Sequence, residues 1–243
     1  MRTKTLVCAA GLLAAGALSS MAQSNVYSLN IVGYANVPFR PGNGYYANPL
    51  NLDNTNNANS VLNVATTPGG AGLDSFTLAT FNGAAFNYYG YDTSFGGWFD
   101  PNTFNPKAPP NIPPGRGFLM QTTLGQFTNT FVGNVLPGPG QTNTLPLAAG
   151  STLAASMLPL SGYVTNAAFA FPNPSQNANN DAFHVLQFNG AAYNDQYFDT
   201  SFGGWVNPNT FNPIAPPNVA IGEAYIFQTT LGPINWNQSL PSQ

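Results

Sequence analysis

The sequence predicts an all-β fold made of two tandem, internally duplicated β-sandwich modules of about 107 residues. Residues 81–125 match residues 188–232 at a constant offset of 107, and 29 of the 45 positions are identical. A repeat of that length has the size of a domain rather than of a solenoid turn. Short apolar runs alternate with clusters of Gly, Pro and Asn, and no mature segment of a dozen residues has a helical apolar period.

Six short runs predict strands in the first unit, at a spacing typical of a sandwich: residues 26–32, 60–64, 75–81, 85–91, 117–121 and 128–132. Asn-Gly lies between two runs at 82–83 and again at 189–190. Both residues of this dipeptide tolerate positive φ, so it is a strong hairpin signal. We expect residues 76–81 to pair with 86–91, and 183–188 with 193–198.

The remaining segments set the expected boundaries. Residues 101–114 are too rich in proline for a central strand and are expected to form an ordered loop over the sandwich edge. Upstream, Ile31-Val-Gly33 matches Phe131-Val-Gly133, and residues 45–50 align with 153–158. The modules are therefore expected at 25–129 and 130–243. The segment 136–141 between them is short, and its prolines restrict its flexibility, so we expect the modules to pack closely.

Residues 1–22 have the features of a secretory signal peptide: a basic start, a short apolar core over 6–18 and the small-x-small site Ser20-Met21-Ala22. The apolar core falls short of the roughly 20 residues of a membrane span. Cys8, the only cysteine, is expected to leave with this segment. The sequence thus predicts a secreted protein, extracellular or at the cell surface, with the periplasm as the alternative and no membrane insertion after cleavage.

Charged residues make up 5% of the chain, against about 25% in an average soluble domain. Loss of Arg2 and Lys4 leaves three basic and eight acidic residues, a net charge of −5. This argues against nucleic-acid partners, because phosphate neutralisation needs clusters of Lys and Arg. A neutral polar surface suits contact with neutral polymers such as glycans, and a general compositional bias of exported proteins explains it equally well.

Several turn and core motifs recur along the mature chain: Val-Gly-Tyr (32–34), Ala-Asn-Pro-Leu (47–50), Gly-Gly-Trp (96–98), Pro-Gly-Arg-Gly-Phe (114–118) and Phe-Val-Gly (131–133). The pattern resembles an uncharacterised class of exported bacterial β-sandwich repeat proteins and covers most of the mature chain. The resemblance implies the fold and export. It brings no active-site residue with it.

Catalytic and metal-binding patterns are sparse. His184 is the only histidine and alternates with apolar positions in residues 182–188, so a solvent-facing strand position is expected. Of the eight acids only Asp74/Asp181 and Asp92/Asp199 recur at the repeat offset, each beside a turn where aspartate binds backbone amides. Candidate calcium ligands are Asp92, Asp100 and Asn102, and in the second copy Asp199, Asn207 and Asn209, but no EF-hand spacing is present. We therefore expect no catalytic residue, metal or cofactor.

The aromatic residues give the leading candidates for binding. Flat aromatic faces beside polar groups are typical of a neutral sugar site. The candidate binding residues are Tyr88, Tyr89, Trp98, Trp205, Asp92 and Asp199. The favoured interpretation of the two tryptophans is nevertheless core packing. Tyr88 and Tyr89 are replaced by Asp195 and Gln196 in the second copy, so these tyrosines are expected to be exposed.

Three functions follow, in order of preference. The first is a non-enzymatic structural or matrix protein of the cell envelope, the second a glycan-binding module with duplicated aromatic sites, and the third a single-site hydrolase. The expected partners are neutral glycans or other copies of the chain. Buried tryptophans with an open edge strand would favour assembly, because open edges template pairing between chains.

Overall fold

The computed structural model describes residues 31–52, 55–62, 76–92, 96–123, 125–138, 140–169, 171, 183–199, 201–229 and 233–240. The predicted signal peptide 1–22, with Cys8, lies outside the described residues. The same holds for Asp74 and Asp181. No helix among the described residues is long and apolar enough to cross a membrane.

The described chain is almost entirely β-structure, which confirms the all-β prediction. Its first part contains β1 (Val32–Phe39), β2 (Gly42–Ala47), α1 (Ala58–Val61), β3 (Phe76–Phe81), β4 (Phe86–Asp92), β5 (Gly97–Phe99), β6 (Gly117–Thr122) and β7 (Phe127–Asn134). Its second part contains β8 (Thr142–Leu147), β9 (Gly150–Ala155), β10 (Gly162–Tyr163), β11 (His184–Phe188), β12 (Tyr193–Asp199), β13 (Gly204–Val206), β14 (Asn218–Val219), β15 (Ala224–Thr229) and β16 (Ile234–Ser239). Helix α1 is a single turn, capped by the side chain of Asn57.

The strands form two antiparallel sheets of five, in the orders β2-β6-β3-β4-β5 and β9-β15-β11-β12-β13. Two separate ribbons, β1-β7 and β8-β16, and the short pair β10-β14 accompany them. The bounds of β4, β5 and β6 differ from those of β12, β13 and β15 by 107, as expected. Strands β1 and β2 instead have an offset of 108. β2 and β9 differ by that number, and Phe39 faces Phe127 in the first ribbon where Leu147 faces Ile234 in the second.

Three apolar clusters connect these layers. The first core lies between the first sheet and the β1-β7 ribbon and includes Phe118 and Phe131. The second core lies between the second sheet and the β8-β16 ribbon and includes Phe227 and Trp236. A central interface joins the two sheets face to face through residues such as Leu119. Each sheet is therefore covered on both faces, and β6 is buried at four consecutive positions rather than at alternate ones.

Both expected hairpins are confirmed, with a different turn. β3 pairs with β4 up to Phe81 and Phe86, and β11 pairs with β12 up to Phe188 and Tyr193. The connection is a four-residue loop, in which Gly83 has a φ of 99°. Asn82 contributes through its side chain, whose Oδ1 accepts from the amides of residues 84 and 85 at 3.0 and 2.9 Å. The proline-rich loop covers the edge strand β5, since the Lys107 amide donates to the Trp98 carbonyl at 2.9 Å.

The boundary expected at 129/130 falls inside β7, which pairs with β1 as far as Asn134. That boundary rests on the similarity between Ile31-Val-Gly33 and Phe131-Val-Gly133. These segments lie in strands that pair with each other, Gly33 opposite Gly133, and are not equivalent positions of two units. By strand order and register, the counterpart of β1 is β8.

Candidate functional site

Trp98 and Trp205 lie in the two cores, as favoured from the sequence. Their exposed fractions are 6% and 7%. The indole of Trp98 packs edge-on against Phe76 and Tyr91, and its Nε1 donates to Asn59 Oδ1 at 2.6 Å. Trp205 belongs to the separate second core. Neither indole offers a free face on which a sugar ring could stack.

Tyr88 and Tyr89 lie on opposite faces of β4 and are half-buried, so the expected exposure is corrected. Tyr88 packs at the central interface, while Tyr89 packs against the first core. The Tyr89 ring also carries the Lys107 ammonium 4.0 Å from its centroid. The two tyrosines cannot contact one ligand together, because successive residues of a strand point to opposite faces.

Asp92 and Asp199 are both buried, with 3% exposed, at the ends of β4 and β12. Asp199 Oδ1 accepts from the amide and hydroxyl of Ser201 at 2.7 and 2.6 Å, and Oδ2 accepts from the Tyr197 hydroxyl at 3.2 Å. Burial alone would raise the pKa of this carboxyl, but the hydrogen bonds from Ser201, Tyr197 and the Phe202 amide outweigh burial and lower it. The carboxylate organises the turn.

His184 differs from the solvent-facing position expected. Its ring lies 5.0 Å from the Tyr197 ring, and its Nδ1 lies 2.9 Å from Asp195 Oδ1. The candidate calcium ligands also serve turns: Asp100 Oδ1 accepts from the Asn102 amide at 2.8 Å, and Asn207 Oδ1 from the Asn209 amide at 2.9 Å. Within the described ranges, no three acidic, histidine or cysteine side chains come together.

The packing of the two sheets follows an approximate two-fold relation. The Ala47 amide donates to the Gly222 carbonyl at 2.9 Å, and the Ala155 amide donates to the Gly115 carbonyl at 3.0 Å. The two bonds are counterparts of each other: Ala155 is equivalent to Ala47 at the offset of 108, and Gly222 is equivalent to Gly115 at the offset of 107. The backbone bridges Tyr46–Glu223 and Ala154–Arg116 are counterparts in the same way.

One cleft opens at each end of this central interface, at equivalent positions. Arg40, Tyr45, Phe188 and Glu223 line the first, with a volume of about 130 Å³, and Arg40, Phe188 and Glu223 continue into an outer groove of about 550 Å³. We call the two together the Arg40–Glu223 cleft. The equivalent cleft, about 460 Å³, has Ala148 in place of Arg40, Leu153 in place of Tyr45, Phe81 in place of Phe188 and Arg116 in place of Glu223. We call it the Arg116 cleft.

Sequence reasoning did not identify the Arg40–Glu223 cleft, because its walls come from distant segments. The one available signal was the exchange of Arg116 for Glu223 inside an otherwise similar repeat. By itself, that exchange predicts only an exposed, variable position. Arg116 is indeed exposed, but Glu223 is half-buried and accepts from the Tyr225 hydroxyl at 3.0 Å.

A second surface feature lies on the outer face of the β1-β7 ribbon. Tyr34 and Val132 are directly opposite in register, with 76% and 54% exposed, and Val32 beside them is 67% exposed. Thr142 and Ser239 occupy the equivalent cross-strand pair of the β8-β16 ribbon. The apolar pair is therefore specific to the first ribbon.

No protein-family model matches the chain, and neither a curated protein nor a solved structure is significantly similar to it.

Proposed function

We propose that this protein is a secreted or cell-surface structural component without catalytic activity, and that copies of it associate through the β1-β7 ribbon. The observation that carries the proposal is the exposed pair Tyr34 and Val132 on a two-stranded ribbon. Within the described residues neither strand pairs with a third strand, although a backbone bridge joins Asn134, the last residue of β7, to Asn51. Such edges present unpaired backbone groups that can template pairing with another chain.

The composition of the ribbon supports association. Natural edge strands are commonly protected by charged side chains. β1 and β7 contain no charged residue, and the one proline, Pro38, lies four residues from Tyr34. The low charge of the whole chain also limits repulsion between copies.

Light scattering coupled to size-exclusion chromatography tests the proposal on the exported protein. We expect a mass above that of the monomer that increases with concentration. Val132→Lys should shift the mass towards the monomer, because a charge on the ribbon face disfavours its burial. Thr142→Lys is the matched control on the second ribbon and should leave the mass unchanged. A monomer at every concentration, or equal effects of both variants, would contradict the proposal.

A further inference from the structure

We propose that the Arg40–Glu223 cleft binds a neutral oligosaccharide. The inference concerns a different surface from the ribbon and does not depend on self-association. The Arg40–Glu223 cleft consists of an inner cleft of about 130 Å³ and an outer groove of about 550 Å³. Arg40, Phe188 and Glu223 line both parts. The outer groove alone has a size typical of small-molecule sites, about 300–1,000 Å³.

The apolar wall is an ordered cluster of three rings. Tyr45 and Tyr193 share a hydrogen bond of 2.6 Å between their hydroxyls, although they come from different sheets. The Phe188 ring lies 5.5 Å from Tyr45 and 5.1 Å from Tyr193. Tyr193 keeps 44% of its surface exposed. An amphipathic ring held in place in this way provides a surface for the apolar face of a sugar.

The polar wall contains one donor and one acceptor of full charge. The Glu223 carboxylate is oriented by the Tyr225 hydroxyl at 3.0 Å and by Gln187 Nε2, which lies 3.4 Å from both carboxylate oxygens. These contacts still leave acceptor capacity on a carboxylate, which has about four acceptor sites. Arg40 is exposed and supplies guanidinium donors, while Asn189 and Asn194 add amide groups to the same groove.

The opposite charges determine the class of ligand. An anion attracted by Arg40 is repelled by Glu223, and a cation attracted by Glu223 is repelled by Arg40. A hydroxyl group can donate to Glu223 or accept from Arg40, and hydrogen bonds to charged groups are about twice as strong as neutral ones. A polyhydroxylated neutral ligand therefore satisfies both walls. The Arg116 cleft lacks the acceptor, because Arg116 stands where Glu223 stands and Ala148 where Arg40 stands.

Isothermal titration calorimetry of the exported protein tests the site with cellotetraose, chitotetraose and maltotetraose as neutral probes. Glycylglycine and tetragalacturonate serve as the zwitterionic and anionic probes. We expect at least one neutral tetrasaccharide to bind, and to bind more tightly than either charged probe. Failure of all three neutral probes, or tighter binding of a charged probe, would overturn the proposal.

Variants locate the site. Tyr193→Ala should weaken binding at least about tenfold, and Arg40→Gln and Glu223→Gln about ten- to a hundredfold each. Arg116→Gln, at the position equivalent to Glu223 in the other cleft, should change affinity less than about twofold. Tyr193→Phe keeps the ring, and its affinity should stay close to that of the unmodified protein.

Thermal melts of each variant separate lost binding from lost folding. If Tyr193→Ala does not fold, the exposed Arg40→Gln variant decides the outcome. Affinity unchanged in folded Arg40→Gln and Glu223→Gln proteins, or reduced equally by Arg116→Gln, would show that the sugar binds elsewhere and would overturn the assignment.

Discussion

Equivalent buried positions of the two cores meet the same hydrogen-bonding requirement with different side chains. Asn129 Nδ2 donates to the Val61 carbonyl at 3.1 Å, and Trp236 Nε1, at the equivalent position, donates to the Phe169 carbonyl at 2.5 Å. Two residues further along, the first core contains Phe131 and the second contains Gln238. An aromatic and an amide have thus exchanged places between the two cores.

Truncation of Trp98 should be costly because the indole is enclosed by the first core. We expect Trp98→Ala to lower the free energy of unfolding by about 3–5 kcal/mol, as large aromatic truncations in cores do. A denaturant melt measures the change. Tyr163→Ala, an exposed aromatic outside the β1-β7 ribbon and the two clefts, is the control and should stay within about 0.5 kcal/mol. An unchanged midpoint for Trp98→Ala would contradict a core role for this residue.

Asp199 should make folding stability depend on acid pH. The hydrogen bonds from Ser201 and Tyr197 lower its pKa from the ordinary value of 3.8. Since the folded-state pKa lies below the unfolded value, the stabilisation is present above about pH 4 and is lost as the pH falls through the folded pKa. Asp199→Asn should therefore lose less stability than the unmodified protein between neutral pH and about pH 3. Equal losses in calorimetric melts would refute this.

The sequence could predict which aromatic side chains are core only where a turn fixed their position. Trp98 follows a Gly-Gly turn at the start of a short strand, and its burial is confirmed. Tyr88 was predicted exposed because its counterpart is Asp195. It is half-buried because β4 is covered on one face by the first core and on the other by the central interface. Coverage by the central interface depends on how the two sheets pack against each other.

At the scale of elements, the turn residues predicted where each hairpin reverses, but not the length of its loop. Asn82 and Gly83 mark the reversal correctly, yet the loop has four residues and uses the asparagine side chain in an Asx turn. The alignment of residues 45–50 with 153–158 already carries the offset of 108 for β2, but the similarity of Ile31-Val-Gly33 to Phe131-Val-Gly133 misplaces β1. Only the register of the two ribbons establishes that β1 corresponds to β8.

Substitution of Gly83 isolates the backbone contribution of the turn. A Cβ at this position meets nothing within 4 Å, so its φ of 99° is the only obstacle. Gly83→Ala should destabilise the protein by about 1–2 kcal/mol. At Gly125, where the space is also open and φ lies outside the positive range, alanine should be neutral or stabilising by up to about 1 kcal/mol. Equal effects in parallel denaturant melts would refute the conformational explanation.

For the whole molecule, the approximate two-fold relation produces both the central interface and the two clefts. In the loops before β6 and β15, the Gly115 and Gly222 carbonyls each accept a hydrogen bond from an amide of the opposite sheet. The duplicated sequence indicates that such a relation can exist, but not which faces meet. The contacts join segments more than 100 residues apart, such as Tyr45 and Tyr193, and local patterns carry no information about pairings of that range.

The central interface provides the last prediction, because Gly117 and Ala224, which are equivalent positions of the two sheets, lie against each other there. A Cβ on Gly117 would lie 2.6 Å from Ala224 Cβ and 2.7 Å from Leu153 Cγ. Gly117→Ala should therefore destabilise the protein by about 1–3 kcal/mol, as overpacked cores do. Adding Ala224→Gly moves the methyl group to the other side of the contact and removes the closest clash.

The double variant should regain part of the loss, with a coupling energy of about 0.5–3 kcal/mol in a double-mutant cycle measured by denaturant melts. Ala224→Gly alone should cost stability, since it removes a buried methyl group and nothing replaces it. Additive effects of the two substitutions would mean that these residues do not meet across the sheets. The face-to-face packing that forms both clefts would then be incorrect, whereas the individual sheets and ribbons would be unaffected.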